Sequence, residues 1–151
     1  MRVDGDISRK SQIAIEYAYR TRKRAPQTSV FWIHASNTTR FEQGYTHIAE
    51  KVMLPGRDDP QANILQLVSD WLSDEANGQW LLVVDNVDDD DIFFSVDDDI
   101  GGSIRQGKTK ARQQPLEVFL PQSPNGTILI TSRNSIAARN LVGDYGSIVE
   151  V

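Results

Sequence analysis

Apolar and polar positions along this chain follow two periods in turn. From Ser11 to Arg20 the apolar residues Ile13, Ala14, Tyr17 and Ala18 recur at i, i+1, i+4 and i+5, which predicts a helix with those four facing a core. Val30-Phe31-Trp32-Ile33 is a short continuous apolar run rich in β-branched and aromatic residues, as in a strand buried on both faces. After Ser36-Asn37-Thr38, residue types that cap helices, Phe41, Tyr45, Ile48, Ala49 and Val52 predict a second amphipathic helix, with Thr39 and Glu42 at capping-box spacing and Pro55-Gly56 as its end. A third helix is predicted with Asp59 as cap and Pro60 in its first position. Its apolar stripe is Ile64, Leu67, Val68, Trp71 and Leu72, and it closes at Asn77-Gly78.

Two more apolar runs, Trp80 to Val84 and Thr127 to Thr131, read as buried strands, each entered from a turn containing glycine. Asn134 to Leu141 predicts a short helix, and Ser147 to Val151 the start of another strand. Strands alternating with helices imply βαβ units: an α/β fold, with a parallel sheet covered by helices on both faces. The stretch from residue 88 to 114 breaks the pattern. It holds Asp88 to Asp91, Asp97 to Asp99, Gly101-Gly102 and a basic cluster, and a run this polar reads as a flexible surface insertion, because it cannot bury enough apolar area to offset its ordering entropy.

Composition narrows the function. The chain has 151 residues, 39% of them hydrophobic and 25% charged, which suits one globular domain. A net charge of −5 argues against binding nucleic acid through its phosphates, and leaves the clusters Arg20 to Arg24 and Arg105 to Arg112 as solvated faces. The absence of cysteine excludes a disulfide framework, thiolate-ligated zinc and a thiol nucleophile together. With no apolar leader core after Met1 and no run near the ~20 residues that cross a bilayer, a cytoplasmic protein without membrane contact is expected. A calcium loop starting at Asp97 would put Lys108 where the bidentate Glu belongs, so that reading fails. His34 and His47 read as a strand-end and a helix-surface residue.

Candidate chemistry sits at element ends. Trp80 to Asn86 is an apolar strand delivering the Asp85 carboxylate to its C-terminal end, the edge of an open α/β sheet where ligands bind and where a carboxylate can hold Mg²⁺. Thr131-Ser132-Arg133 ends the next strand, and an arginine there can reach a terminal phosphate. Lys10-Ser11 opens the first helix as the tail of a GxxxxGK[ST] phosphate loop, in which Lys meets the β/γ-phosphates and Ser a Mg²⁺ ion; Asp4 and Arg9 stand at the two glycine positions. The order of these features is that of a P-loop nucleotide-binding domain.

These blocks also resemble a known family. SQIAIEYAYR (Ser11 to Arg20), VFWIHASN (Val30 to Asn37), WLLVVDNVD (Trp80 to Asp88), LPQSPNGTILITSRN (Leu120 to Asn134) and IVEV (Ile148 to Val151) look like successive stretches of the NB-ARC domain of fungal NOD-like receptors, a P-loop NTPase of the STAND class. The resemblance runs over nearly all of the chain after Lys10. It implies an ADP/ATP switch with Mg²⁺, with Gly5, Arg9, Lys10, Ser11 and Gln12 around the phosphates, Ser11 and Asp85 on the metal, and Asp85 and Arg133 as the Walker B acid and sensor arginine. Asn86 stands where hydrolytic relatives place a second acid, which implies little or no turnover. Partners would be nucleotide and, through self-association, other receptor chains or effector domains. The family's loop reads GxGGxGKS. Here the stretch is Asp4-Gly5-Asp6-Ile7-Ser8-Arg9-Lys10-Ser11, preceded by only Met1-Arg2-Val3 where a first, central strand belongs. On that basis residues 1–151 form a partial NB-ARC domain without its winged-helix and helical portions, and a misplaced start is expected to explain the altered loop. The other implication is a relic or adaptor that binds no nucleotide and acts by protein association.

Overall fold

The computed structural model describes residues 9–87, 116–134, 136 and 139. In chain order these form α1 (Arg9–Arg24), β1 (Ser29–His34), α2 (Thr38–Lys51), α3 (Ile64–Ser73), a 3₁₀ turn (Glu75–Asn77), β2 (Trp80–Asp85), a second 3₁₀ turn (Leu116–Phe119) and β3 (Gly126–Ile130). The three strands make one parallel sheet in the order β1-β2-β3, with Ser29 opposite Trp80 and Trp80 opposite Gly126. Parallel neighbours need crossover connections, and α2 and α3 supply the one from β1 to β2. The α/β architecture read from the sequence is therefore present, a parallel sheet flanked by helices as in P-loop NTPase-like folds.

Alternation along the strands sorts the core into two layers. Phe31, Ile33, Leu82 and Val84 face α2 and α3, meeting Phe41, Tyr45, Ile48, Val68 and Leu72. Leu81 and Val83, with Val30, Trp32 and Leu129 beside them, face α1. All six residues of β2 are buried, as befits the middle strand. Among the described strands β2 is the middle one, bonded directly to β1 and to β3. Met1-Arg2-Val3 lie outside the described residues, as do the stretch 88–114, the strand expected at 147–151 and all but Asn134, Ile136 and Arg139 of the helix expected at 134–141.

Three local expectations need correction. On α1, Ala14 and Ala18 are buried as expected, but Ile13 and Tyr17 are each 48% exposed and the third buried residue is Ser11. Small side chains at i, i+3 and i+7 let the helix approach the sheet along a narrow line, and the larger residues flank it. The α2 cap is Asn37, whose Oδ1 accepts from the Arg40 backbone N–H at 2.8 Å, so Thr39 lies inside the helix and no capping box forms. The third helix starts at Ile64, because Asp59 spends its side chain on the Gln61 N–H and it is Asn63 that accepts from Gln66. It ends at Ser73, before the turn to Gly78.

Gly44 allows α2 to lie close against β1. A Cβ there would stand 2.7 Å from Ile33 Cβ and 3.3 Å from its Cα, with Cγ2 nearer still. Alanine in a helix normally gains ~1 kcal/mol over glycine. Gly44→Ala is nevertheless expected to lose about 1–3 kcal/mol, since overpacking against a β-branched residue and its backbone outweighs propensity. A urea titration checks the sign; a stabilised variant would mean that α2 and β1 are farther apart.

Tyr45 is buried on α2, stacked on Phe41 with ring centroids 4.7 Å apart, and its hydroxyl donates to the Phe119 carbonyl at 2.6 Å. Phe119 itself is buried. Burial pushes the Tyr45 phenol well above its ordinary value. The unfolded chain releases this proton above about pH 10 while the folded chain keeps it, so this contribution is complete below that pH and lost as pH rises, at about 1.4 kcal/mol per unit. Tyr45→Phe should cost about 1–2 kcal/mol at pH 7, because a buried carbonyl loses its donor. It should also remove one proton from the alkaline slope between pH 10 and 11.5. Unchanged stability at pH 7 together with an unchanged slope would refute this.

Candidate functional site

The C-terminal ends of the parallel strands and the first turn of α1 meet at one edge of the sheet. Asp85 is the last residue of β2 and only 4% exposed. A carboxylate so enclosed is costly unless it is hydrogen-bonded. Its Oδ1 accepts from Ser11 Oγ at 2.8 Å and from Thr131 Oγ1. Ser11 and Thr131 are buried too. The three side chains come from the first helix, the middle strand and the end of β3, separated by 74 and 46 positions in sequence.

The surrounding backbone fixes this cluster. Beyond Asp85 the chain turns through Asn86, which takes a left-handed φ of 63°, a conformation asparagine tolerates. The Asn86 N–H donates to Thr131 Oγ1 at 3.0 Å, the Thr131 N–H to the Val84 carbonyl at 3.0 Å, and the Val87 N–H to the Thr131 carbonyl at 2.9 Å. Thr131 thus ties the exit of β2 to the exit of β3 through both backbone and side chain. Lys10 adds a third tie, its Nζ donating to the Ser132 carbonyl at 2.6 Å, while Ser132 Oγ donates to the Val87 carbonyl. His34, the last residue of β1, brings Nδ1 to 3.8 Å from Asp85 Oδ2.

Of the sequence candidates, Lys10, Ser11 and Asp85 converge here. Arg133 follows Ser132 on the same edge and is exposed; Arg9 and Gln12 are exposed in the first turn of α1; Gly5 lies outside the described residues. Two participants were not singled out by sequence reasoning. Thr131 was visible only as the end of a strand, and nothing local announces that its hydroxyl serves a carboxylate 46 residues earlier. His34 was read as a strand-end residue, which it is, but its register position opposite Asp85 becomes apparent only once β1 and β2 are paired.

The donor set suits a hard divalent cation. Ser11 Oγ and Asp85 Oδ1 are oxygen ligands 2.8 Å apart, close to the ~2.9 Å that separates adjacent ligands of an octahedral Mg²⁺ with bonds of ~2.0–2.1 Å. Among the described residues there is no group of three or more His, Cys, Asp or Glu able to hold a metal, so a cation here would draw its remaining ligands from water or a bound phosphate. Among those residues, too, no helix is long and apolar enough to cross a membrane.

Comparison with known proteins gives one informative relative. The chain is 35% identical over 141 residues to a nucleotide-binding leucine-rich repeat (NLR)-like protein of Hyaloscypha variabilis, an alignment covering 93% of this chain and 14% of that protein. This supports an NLR-related origin. The chain spans about a seventh of the length of the relative it matches. No protein-family model matches the sequence, and no solved structure does.

Proposed function

We propose that this chain carries the phosphate- and cation-facing part of a nucleotide switch in an NLR-type signalling protein, taking ADP or ATP with Mg²⁺ and turning it over slowly or not at all. The observation behind this reading is the buried Ser11–Asp85–Thr131 cluster beside Lys10, at the C-terminal edge of a parallel sheet. Lys10 Nζ, held on the Ser132 carbonyl, is the donor that β- and γ-phosphate oxygens would take over. Ser11 and Asp85 would hold the Mg²⁺, which would neutralise phosphate charge. Arg133, on the same edge, is the residue to meet a terminal phosphate. Asn86 stands beside the site where a second acid would orient a water, and an amide is no base at neutral pH, hence the slow turnover. The name of the relative agrees with nucleotide binding. Cytoplasmic location and self-association with other receptor chains belong to the same proposal.

Equilibrium dialysis with labelled ADP and ATP in the presence of Mg²⁺ tests it. Micromolar binding that Lys10→Ala weakens tenfold or more is the expected result, each factor of ten corresponding to about 1.4 kcal/mol. Absence of saturable binding up to millimolar nucleotide would remove the reading for this chain.

A second reading, an adaptor that binds no nucleotide, draws on the loop sequence, where Asp4, Asp6, Ile7 and Arg9 replace glycines that let phosphate approach the backbone. Co-purification with an intact relative, unaffected by Lys10→Ala, would favour it.

A further inference from the structure

We propose that His34 is a direct ligand of the cation held by Asp85, and that its imidazole tilts the site toward Mn²⁺ and Co²⁺ over Mg²⁺. This rests on the reading of Asp85 and Ser11 as the cation-binding pair. The two oxygens of Asp85 are not equivalent. Oδ1 accepts both the Ser11 and the Thr131 hydroxyls, whereas Oδ2 is the oxygen that His34 approaches, with Nδ1 at 3.8 Å. A cation taken by both oxygens of this carboxylate therefore has the Ser11 hydroxyl beside Oδ1 and the imidazole beside Oδ2.

The juxtaposition is built into the backbone. His34 and Asp85 are register partners in the β1–β2 ladder, and the Ala35 N–H donates to the Asp85 carbonyl at 2.8 Å just beyond them. Paired residues of adjacent strands project from the same face of the sheet, so the two side chains are neighbours whatever their rotamers. Adjacent ligands on an octahedral ion with bonds of ~2.1 Å lie about 3 Å apart. The His34 side chain is 51% exposed and Asp85's only 5%, so the imidazole is the partner with room to close the remaining distance.

Chemistry then separates the ions. Mg²⁺ takes oxygen ligands and keeps its waters, whereas Mn²⁺ and, more strongly, Co²⁺ accept imidazole nitrogen along with carboxylate and hydroxyl oxygen. A nitrogen beside two hard oxygens thus adds affinity for the transition ions and little for Mg²⁺.

The test uses the 151-residue chain without nucleotide and the metal ions alone. Free Mn²⁺ is followed by electron paramagnetic resonance, Mg²⁺ by competition, and Co²⁺ by its visible absorption, in the wild type, His34→Gln and Asp85→Asn, with circular dichroism confirming the fold. The expected result is a roughly tenfold loss of Mn²⁺ affinity in His34→Gln, a Co²⁺ spectrum altered by loss of nitrogen, and unchanged Mg²⁺ competition. Should Asp85→Asn abolish Mn²⁺ binding while His34→Gln leaves the Mn²⁺ to Mg²⁺ ratio unchanged, the cation site stands and the role of His34 is overturned. Should Asp85→Asn leave Mn²⁺ binding unchanged, or the wild type bind no Mn²⁺ at millimolar concentration, both are overturned.

Discussion

Gly126→Ala should cost this protein about 3–5 kcal/mol, more than the same change at Gly44. Gly126 opens β3 as the register partner of Trp80, and a Cβ at that position would overlap the six-membered ring of the indole. The ring cannot step aside cheaply. Trp80 is 2% exposed, and its Nε1 donates to the Leu72 carbonyl at 2.7 Å, so displacing it breaks a buried hydrogen bond as well as the packing against α3. Overpacking of this kind costs about 1–3 kcal/mol, and an orphaned buried donor and acceptor add about as much again. Against a usual total of about 5–15 kcal/mol, that places the variant near the edge of folding. Urea or thermal unfolding measures it, with the near-ultraviolet dichroism of the tryptophans reporting any change in aromatic packing. A loss below 1 kcal/mol with an unchanged aromatic signal would mean that the indole does not lie over Gly126.

Restoring glycine in the phosphate loop should tighten ADP binding at least a hundredfold. The substitutions are Asp4→Gly, Asp6→Gly, Ile7→Gly and Arg9→Gly, which give the GxGGxGKS that the resemblance implies, followed by the native Lys10-Ser11. Two effects act together. Removing Asp4 and Asp6 removes carboxylates that would repel a polyphosphate by roughly 1–4 kcal/mol per pair at ~4 Å. Removing side chains lets backbone N–H groups close on the phosphates at the start of α1, where free N–H groups and the helix dipole favour an anion. A hundredfold gain corresponds to about 2.7 kcal/mol, a fraction of what these effects can supply. Calorimetry of the repaired and native chains with ADP and Mg²⁺ decides the matter. A repaired chain that folds as judged by circular dichroism yet gains no affinity would show that Lys10, Ser11 and Asp85 meet for a reason other than nucleotide.

How much of this was legible in the sequence depended on how local the determining physics is. The alternation of Trp80 to Val84 with the helical stripes on either side was enough to place the strands and most helix bodies, because burial on one face or two leaves a periodic trace. Helix starts were less legible where several capping residues compete. Asp59 and Asn63 are both good caps ahead of the third helix, and Asn63 engages because Asp59 is taken up by its own turn. On α1 the burial of Ala14 and Ala18 was legible and that of Ser11 was not, because Ile13 and Tyr17 are more apolar than Ser11, yet the close approach to Leu81 and Val83 selects for size over hydrophobicity. Strand order left no trace in periodicity, so the direct contact of β2 with β3 had to come from the structure. Lys10, Ser11 and Asp85 were found from motif fragments. Thr131 and His34 were not, because their roles exist only through register and long-range pairing.

β2 is bonded on both sides and buried along its whole length. In hydrogen exchange the amides of Leu82 to Val84 should therefore be among the last to open. The Asp85 carboxylate rides on this strand, whereas Lys10 and Ser11 reach the same edge from a separate helix that meets the sheet only along the narrow line of Ser11, Ala14 and Ala18. Half of the candidate site thus belongs to the slowest-opening part of the sheet, and the other half is held to it by side-chain bonds. A ligand bridging Lys10, Ser11 and Asp85 would then be felt chiefly as slowed exchange in the first turns of α1, with the strands unaffected.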